Sequence, residues 1–179
     1  MKKEKKLFYR KDIDGLRAVS VLAVLGYHFY PNIFKGGFVG VDSFFVISGF
    51  LISSIIFKDI LLGKFSYLDF YQRRIKRIFP ALILIFTSSL LLGSFVLFID
   101  EYKILGKNIA SGAGFVSNFI FLRENGYFDL ASEAKPFLHL WSLSIEEQFY
   151  ILYPLLIGLI WKLPKVIFYF IIVSILISF

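Results

Sequence analysis

Long apolar runs separated by short charged segments dominate the sequence. Taking about 20 residues as the length of a helix that crosses a membrane, we predict four spans, at 16–30, 38–62, 78–99 and 140–161. A fifth apolar run, 166–179, ends with the chain. The pattern therefore predicts an all-α fold, a polytopic transmembrane helix bundle of about five spans.

Two segments depart from this simple pattern. Residues 65–77 place Phe65, Leu68, Tyr71 and Ile75 on one side and charged residues on the other, which predicts an interfacial amphipathic helix. Residues 103–122 are apolar but rich in Gly, Ser and Asn. This second segment is compatible with a surface helix, a re-entrant segment or a poor span.

The composition agrees with a membrane environment. Of the 179 residues 58% are hydrophobic and 18% are charged, with a mean hydropathy of +0.74, against about 45–50% and about 25% in soluble domains. The chain has no Cys, which excludes disulfides, Cys-ligated zinc and a thiolate nucleophile on it. We predict no metal site.

Clustered basic residues predict the topology. The net charge of +7 comes from 20 Lys and Arg against 13 Asp and Glu, and the basic residues concentrate within 2–11 and 64–77. By the positive-inside rule, the N-terminus, the 64–77 loop and residues 162–165 are cytoplasmic, in a multi-pass protein of the cell inner or plasma membrane. Each basic cluster adjoins an apolar run, so the lipid bilayer is the expected partner and nucleic acid is not.

Ionisable residues within the predicted spans are the strongest functional signal, since each is costly in lipid unless it has a partner. Arg17 and His28 are eleven residues apart, about 20° from three full helical turns, with an axial separation of about 16 Å. His28 is expected near mid-membrane, where an imidazole suits a general base. A structural histidine bonded to a neighbouring helix explains the pattern equally well.

Asp42, near the start of the second span, is a second ionisable candidate. An acid at this place can orient a catalytic imidazole. It can equally be a helix N-terminal carboxylate that the helix dipole stabilises.

The basic residues Arg73, Arg74, Lys76 and Arg77 have two interpretations. They can serve as a topology signal and contact lipid head groups. They can also bind an anion, because Arg74 and Arg77, three residues apart on a helix, form neighbouring forks suited to phosphate.

The fourth span carries an acidic pair, Glu146 and Glu147, about one and a half turns from its start. Adjacent helical residues point about 100° apart, so one acid is expected to face the bundle interior and the other a loop or solvent. The residues on one side of this helix are Ser142, Glu146, Tyr150 and Tyr153.

Four segments together point to a family. They are YRKDIDGLRAVSVLAVLGYH at 9–28, GGFVGVDSFFVISGFLI at 36–52, FYQRRIKRIFPA at 70–81 and HLWSLSIEEQFY at 139–150. In wording and order they closely resemble the membrane acyltransferase 3 family, the O-acetyltransferases of bacterial surface polysaccharides and peptidoglycan. The resemblance covers nearly the whole chain.

This resemblance implies an enzyme that takes an acyl group, usually acetyl, from cytoplasmic acyl-CoA and delivers it to a hydroxyl of an extracytoplasmic carbohydrate. Acyl-CoA is then a donor substrate, and no permanently bound cofactor is expected. Arg17 and His28 match the family's Arg-x10-His pattern, and Arg74 and Arg77 match its Arg-x-x-Arg pattern. Glu146 and Glu147 match its acidic pair.

Family members have about ten spans of about 20 residues. We therefore expect residues 1–179 to be the N-terminal part of one acyltransferase domain, without a second domain. Missing C-terminal helices or a partner subunit would complete it.

The expected mechanism combines these residues. Arg74 and Arg77, with Arg73 beside them, would hold the CoA phosphates, and His28 would deprotonate the acceptor hydroxyl. Arg17 would steady a phosphate at the cytoplasmic mouth, and Asp42 or an acid of the fourth span would orient the imidazole. Two alternatives remain open, a transporter or proton-conducting bundle and an inactive truncated fragment.

Overall fold

The structure is a computed structural model that describes residues 10–123 and 136–161. This part of the chain is all-helical, as predicted. Its six helices are α1 (Lys11–Phe29), α2 (Val39–Leu61), α3 (Tyr67–Val96), α4 (Ile99–Ala113), α5 (Ser117–Arg123) and α6 (Leu140–Ile160). They belong to two compact units, Met1–Leu61 and Leu62–Phe179.

Two of these helices, α2 and α3, are long and apolar enough to cross a membrane by length and composition. The predicted first and fourth spans correspond to the helices α1 and α6. The apolar run predicted at 166–179 lies outside the described residues.

The first unit is an antiparallel pair of α1 and α2, held close by glycines. A Cβ atom on Gly40 would lie 2.5 Å from the Ser20 carbonyl oxygen, and one on Gly37 would collide with the Ala23 carbonyl oxygen. Only glycine permits this approach of two backbones. The Gly-Gly-Phe-Val-Gly segment at 36–40 is therefore a helix-packing element.

The second unit is built on α3, which is one continuous helix of 30 residues. Its N-cap is Ser66, whose hydroxyl oxygen accepts a hydrogen bond from the Asp69 backbone N–H at 3.3 Å. The predicted interfacial helix is thus not a separate element, because residues 67–77 form the first turns of α3. Pro80 lies inside α3.

The ambiguous 103–122 segment forms parts of two helices. They are α4 and α5, and Phe115 in the connection between them has a φ of 53°. Leu105 and Ile109 of α4 are buried against Leu82 and Phe86 of α3. The helix α6 adds partly buried leucines to this core.

Polar side chains inside the second unit explain why this segment is rich in Ser and Asn. Asn108 is 2% exposed and donates to the Pro136 carbonyl oxygen at 2.9 Å. The Ser111 and Ser117 hydroxyls lie 3.0 Å apart, and the Ser117 N–H donates to the Ser144 hydroxyl at 3.3 Å. These bonds join α4, α5 and α6.

Gln148 of α6 secures the connection between α4 and α5. Its side-chain amide donates to the Phe115 carbonyl oxygen at 2.6 Å and to the Asn118 side-chain oxygen at 3.0 Å. The backbone of Phe115 is left-handed, a conformation that non-glycine residues adopt rarely. Gln148 therefore stabilises a strained turn.

Replacing Gly40 by Ala tests the helix packing of the first unit. We expect Gly40→Ala to lower the free energy of unfolding by about 1–3 kcal/mol, because the methyl group overpacks the interface. Thermal unfolding of the detergent-purified chain, followed by circular dichroism, measures this. The matched control is Gly49→Ala, since a Cβ there meets nothing within 4 Å. Equal stability of the two variants would contradict the packing.

Replacing Gln148 by Leu tests the α5–α6 junction. We expect a loss of about 1–3 kcal/mol of stability, because two polar partners are left unsatisfied. The same unfolding measurement applies. Gln72, exposed on α3, is the control, and Gln72→Leu should change stability by less than about 0.5 kcal/mol. An equally small effect at position 148 would refute the assigned role.

Candidate active site

His28 lies in the last turn of α1 and is exposed. Its Nδ1 is 2.8 Å from the Val24 carbonyl oxygen. Because a carbonyl oxygen only accepts, Nδ1 carries the proton and the lone pair of the neutral ring is on Nε2. The Tyr27 ring packs edge-on to the imidazole, with the centroids 5.7 Å apart. This arrangement fixes the tautomer that a base acting through Nε2 requires.

Arg17 and His28 belong to one uninterrupted helix, α1, so the predicted axial separation of about 16 Å applies. Arg17 is half-buried, between the buried residues Ile13 and Ser20. Asp42 lies in the first turn of α2, where it is exposed. Among the described residues it forms no ion pair, so its orientation of an imidazole stays a prediction.

The start of α1 carries an exposed ion pair. The Arg10 guanidinium donates to the Asp12 carboxylate at 2.9 and 2.5 Å and lies over the Phe50 ring of α2, 6.0 Å from its centroid. The Arg10 hydrogen bonds lower the pKa of Asp12 to about 2. A carboxylate therefore stays beside this basic end of α1 at physiological pH.

In the second unit, Arg74 faces α6. Its guanidinium lies over the Tyr150 ring, 4.6 Å from the centroid, and over the Phe70 ring at 5.8 Å. Phe70 is 2% exposed and Tyr150 is 5% exposed. Arg74 itself is half-buried. Two desolvated aromatic faces thus contact one cation, which strengthens a cation–π interaction.

The two acids of the pair differ in burial, although neither is exposed to solvent. Glu147 is 6% exposed, and its Oε1 has no hydrogen-bond partner among the described residues. The positive charges of Arg74 and Arg77 act on this carboxyl group. Glu146 is half-buried and accepts a hydrogen bond from the Tyr150 hydroxyl, which confirms that the two share a side of α6.

Aromatic residues join the start of α3 to α6. The Tyr71 hydroxyl donates to the Ile151 carbonyl oxygen at 2.8 Å. Tyr67 packs its hydroxyl against Gly158, where a Cβ would collide with it. The order of these contacts makes the two segments antiparallel.

Residues 10–179 match the family model described as an acyltransferase domain. The chain belongs to the acyltransferase 3 family. O-acetyltransferase OatA of Staphylococcus aureus (strain NCTC 8325 / PS 47) is 41% identical over 151 residues, which are 83% of this chain and 25% of that protein. OatA of strain MRSA252 has the same identity over the same number of residues.

A second Staphylococcus aureus protein, from strain MSSA476 and provisionally named an O-acetyltransferase, is 40% identical over 161 residues. That alignment covers 87% of this chain and 26% of the relative. The chain thus spans about a quarter of the length of these curated relatives. No solved structure matches it significantly.

The side chains of the basic cluster differ in direction and burial. Arg74 points at α6, whereas Arg73 and Arg77 are exposed. Leu68 is 79% and Ile75 is 51% exposed, on the side of the segment that was predicted to be apolar. In a membrane protein such apolar residues can face lipid while aromatic and cationic residues face the protein.

Sequence reasoning missed Phe70 as a site residue and did not pair Arg74 with Tyr150. The available signal was the spacing of Tyr67, Phe70, Tyr71 and Arg74, at i, i+3, i+4 and i+7, which places them on one helical face.

No metal-binding group of three His, Asp or Glu occurs within the described part of the chain.

Proposed function

We propose that this acyltransferase moves an acetyl group from cytoplasmic acyl-CoA to a hydroxyl of an extracytoplasmic carbohydrate. Family membership and relatives named O-acetyltransferase support the reaction class. The two apolar helices fit a membrane location, and the basic segments favour an inner-membrane protein with a cytoplasmic N-terminus. Helices beyond this chain or a partner subunit would complete the enzyme.

The observation that carries the proposal is the hydrogen bond from His28 Nδ1 to the Val24 carbonyl oxygen. It leaves the basic lone pair on Nε2, so this nitrogen removes the proton of the acceptor hydroxyl. The oxygen then attacks the thioester carbonyl, an ester C–O bond forms and the C–S bond breaks. The imidazolium returns its proton to the CoA thiolate, so His28 ends unchanged.

The start of α3 supplies the donor site in this proposal. CoA is anionic through its phosphates, and Arg73, Arg74 and Arg77 provide planar guanidinium forks on neighbouring turns of one helix. Arg17 would hold a phosphate nearer the start of α1. Asp42, which lies in the same unit as His28, would orient the imidazole.

Replacing His28 tests the base. We expect His28→Gln and His28→Asn to lower the rate of acetyl transfer about 10²–10⁴-fold, because neither amide can accept a proton in the reaction. His28→Asn also keeps a donor close to the position of Nδ1. The assay follows CoA release from acetyl-CoA and acetyl ester formation on chitotetraose, with the protein in detergent.

The matched control is His139→Gln, which changes the other histidine of the chain. It should leave the rate within about twofold of the wild-type rate, a shift below about 0.5 kcal/mol. Full activity of either His28 variant would show that another group is the base. Absence of turnover in the wild-type protein, assayed together with the helices or the subunit that complete the enzyme, would contradict the proposed activity.

A further inference from the structure

Arg74 has an unusual environment for an arginine at a proposed phosphate site. Its guanidinium lies over the faces of Tyr150 and Phe70 and is half-buried. None of its N–H groups forms a hydrogen bond with another residue that the structure describes. The planar group is therefore held by ring faces while its donors stay available.

Stacking on a ring uses the face of the guanidinium, whereas its five N–H donors point outward in its own plane. A guanidinium positioned by an aromatic ring can thus still donate two parallel hydrogen bonds to a phosphate. An ion pair with a carboxylate would occupy the same donors. Aromatic positioning leaves the fork open to a ligand.

The Tyr150 ring is itself fixed in place. It is 5% exposed, and its hydroxyl donates to the Glu146 carboxylate one turn earlier on α6. Glu147, the next acid on α6, is 6% exposed. The positive charge on α3 therefore rests on a surface of α6 whose orientation is already determined.

We propose that Tyr150 is a positioning residue for the donor site, where its ring face orients the Arg74 guanidinium toward a phosphate of acyl-CoA. Phe70 supports the same orientation from α3. This inference rests on the proposed function, since it assumes that the start of α3 binds the donor.

The test compares binding of two probes to the detergent-purified chain. Acetyl-CoA carries phosphates and S-acetyl-pantetheine carries none. We expect Tyr150→Leu to weaken acetyl-CoA binding about tenfold and to leave S-acetyl-pantetheine binding unchanged. Tyr150→Phe keeps the ring and should bind acetyl-CoA within about twofold of wild type.

Tyr153→Leu is the matched control, since Tyr153 stacks on Phe149 with the centroids 4.6 Å apart. It should bind both probes as wild type does. Arg74→Lys keeps the charge but loses the planar fork, and we expect it to weaken acetyl-CoA binding as Tyr150→Leu does. This variant tests the proposal even where Tyr150→Leu fails to fold. Combining Tyr150→Leu with Arg74→Ala should weaken binding no further than Arg74→Ala alone.

Wild-type affinity of Tyr150→Leu or Arg74→Lys for acetyl-CoA would overturn the inference and leave the proposed function intact. Equal weakening of both probes by Tyr150→Leu would also overturn it, because a general structural role predicts that result. Absence of acetyl-CoA binding by the wild-type chain would overturn the proposed donor site and this inference together.

Discussion

A guanidinium that is half-buried between apolar helices needs compensating partners, and the arrangement of α3 on α6 depends on how Arg74 obtains them. It lies between two aromatic faces and close to a buried carboxyl group. These partners come from both helices, so the compensation itself requires α3 and α6 to be adjacent. The same interaction brings the basic and acidic segments of the family pattern to one place.

The helices of the first unit pack through small residues and not through a charged side chain. There the helices approach through Gly37 and Gly40, and small residues replace large apolar ones at the interface. This close packing gives α1 a firm support. His28, at the far end of α1 from the basic residues, has its tautomer set within its own helix by Val24. The pair of helices α1 and α2 thus contains both the glycine contacts and the histidine whose ring orientation is fixed.

The apolar pattern predicted α2 and α6 closely, since 38–62 and 140–161 became Val39–Leu61 and Leu140–Ile160. It divided α3 in two because residues 65–77 carry charges on one side and the span after them is uncharged, although one helix contains both. Helical periodicity placed Glu146 and Tyr150 on one side. The contact of Arg74 with Tyr150 depends on tertiary packing between distant segments, which local periodicity does not encode.

Equilibrium binding of radiolabelled acetyl-CoA to the detergent-purified chain tests the central claim most directly, with Arg74→Ala/Arg77→Ala as the variant. A control, Lys103→Ala/Lys107→Ala, removes two positive charges from α4. The account predicts saturable binding by the wild type and the lysine variant, and its loss in the arginine variant. Absence of saturable binding by the folded wild-type chain, or equal binding by all three, would contradict it.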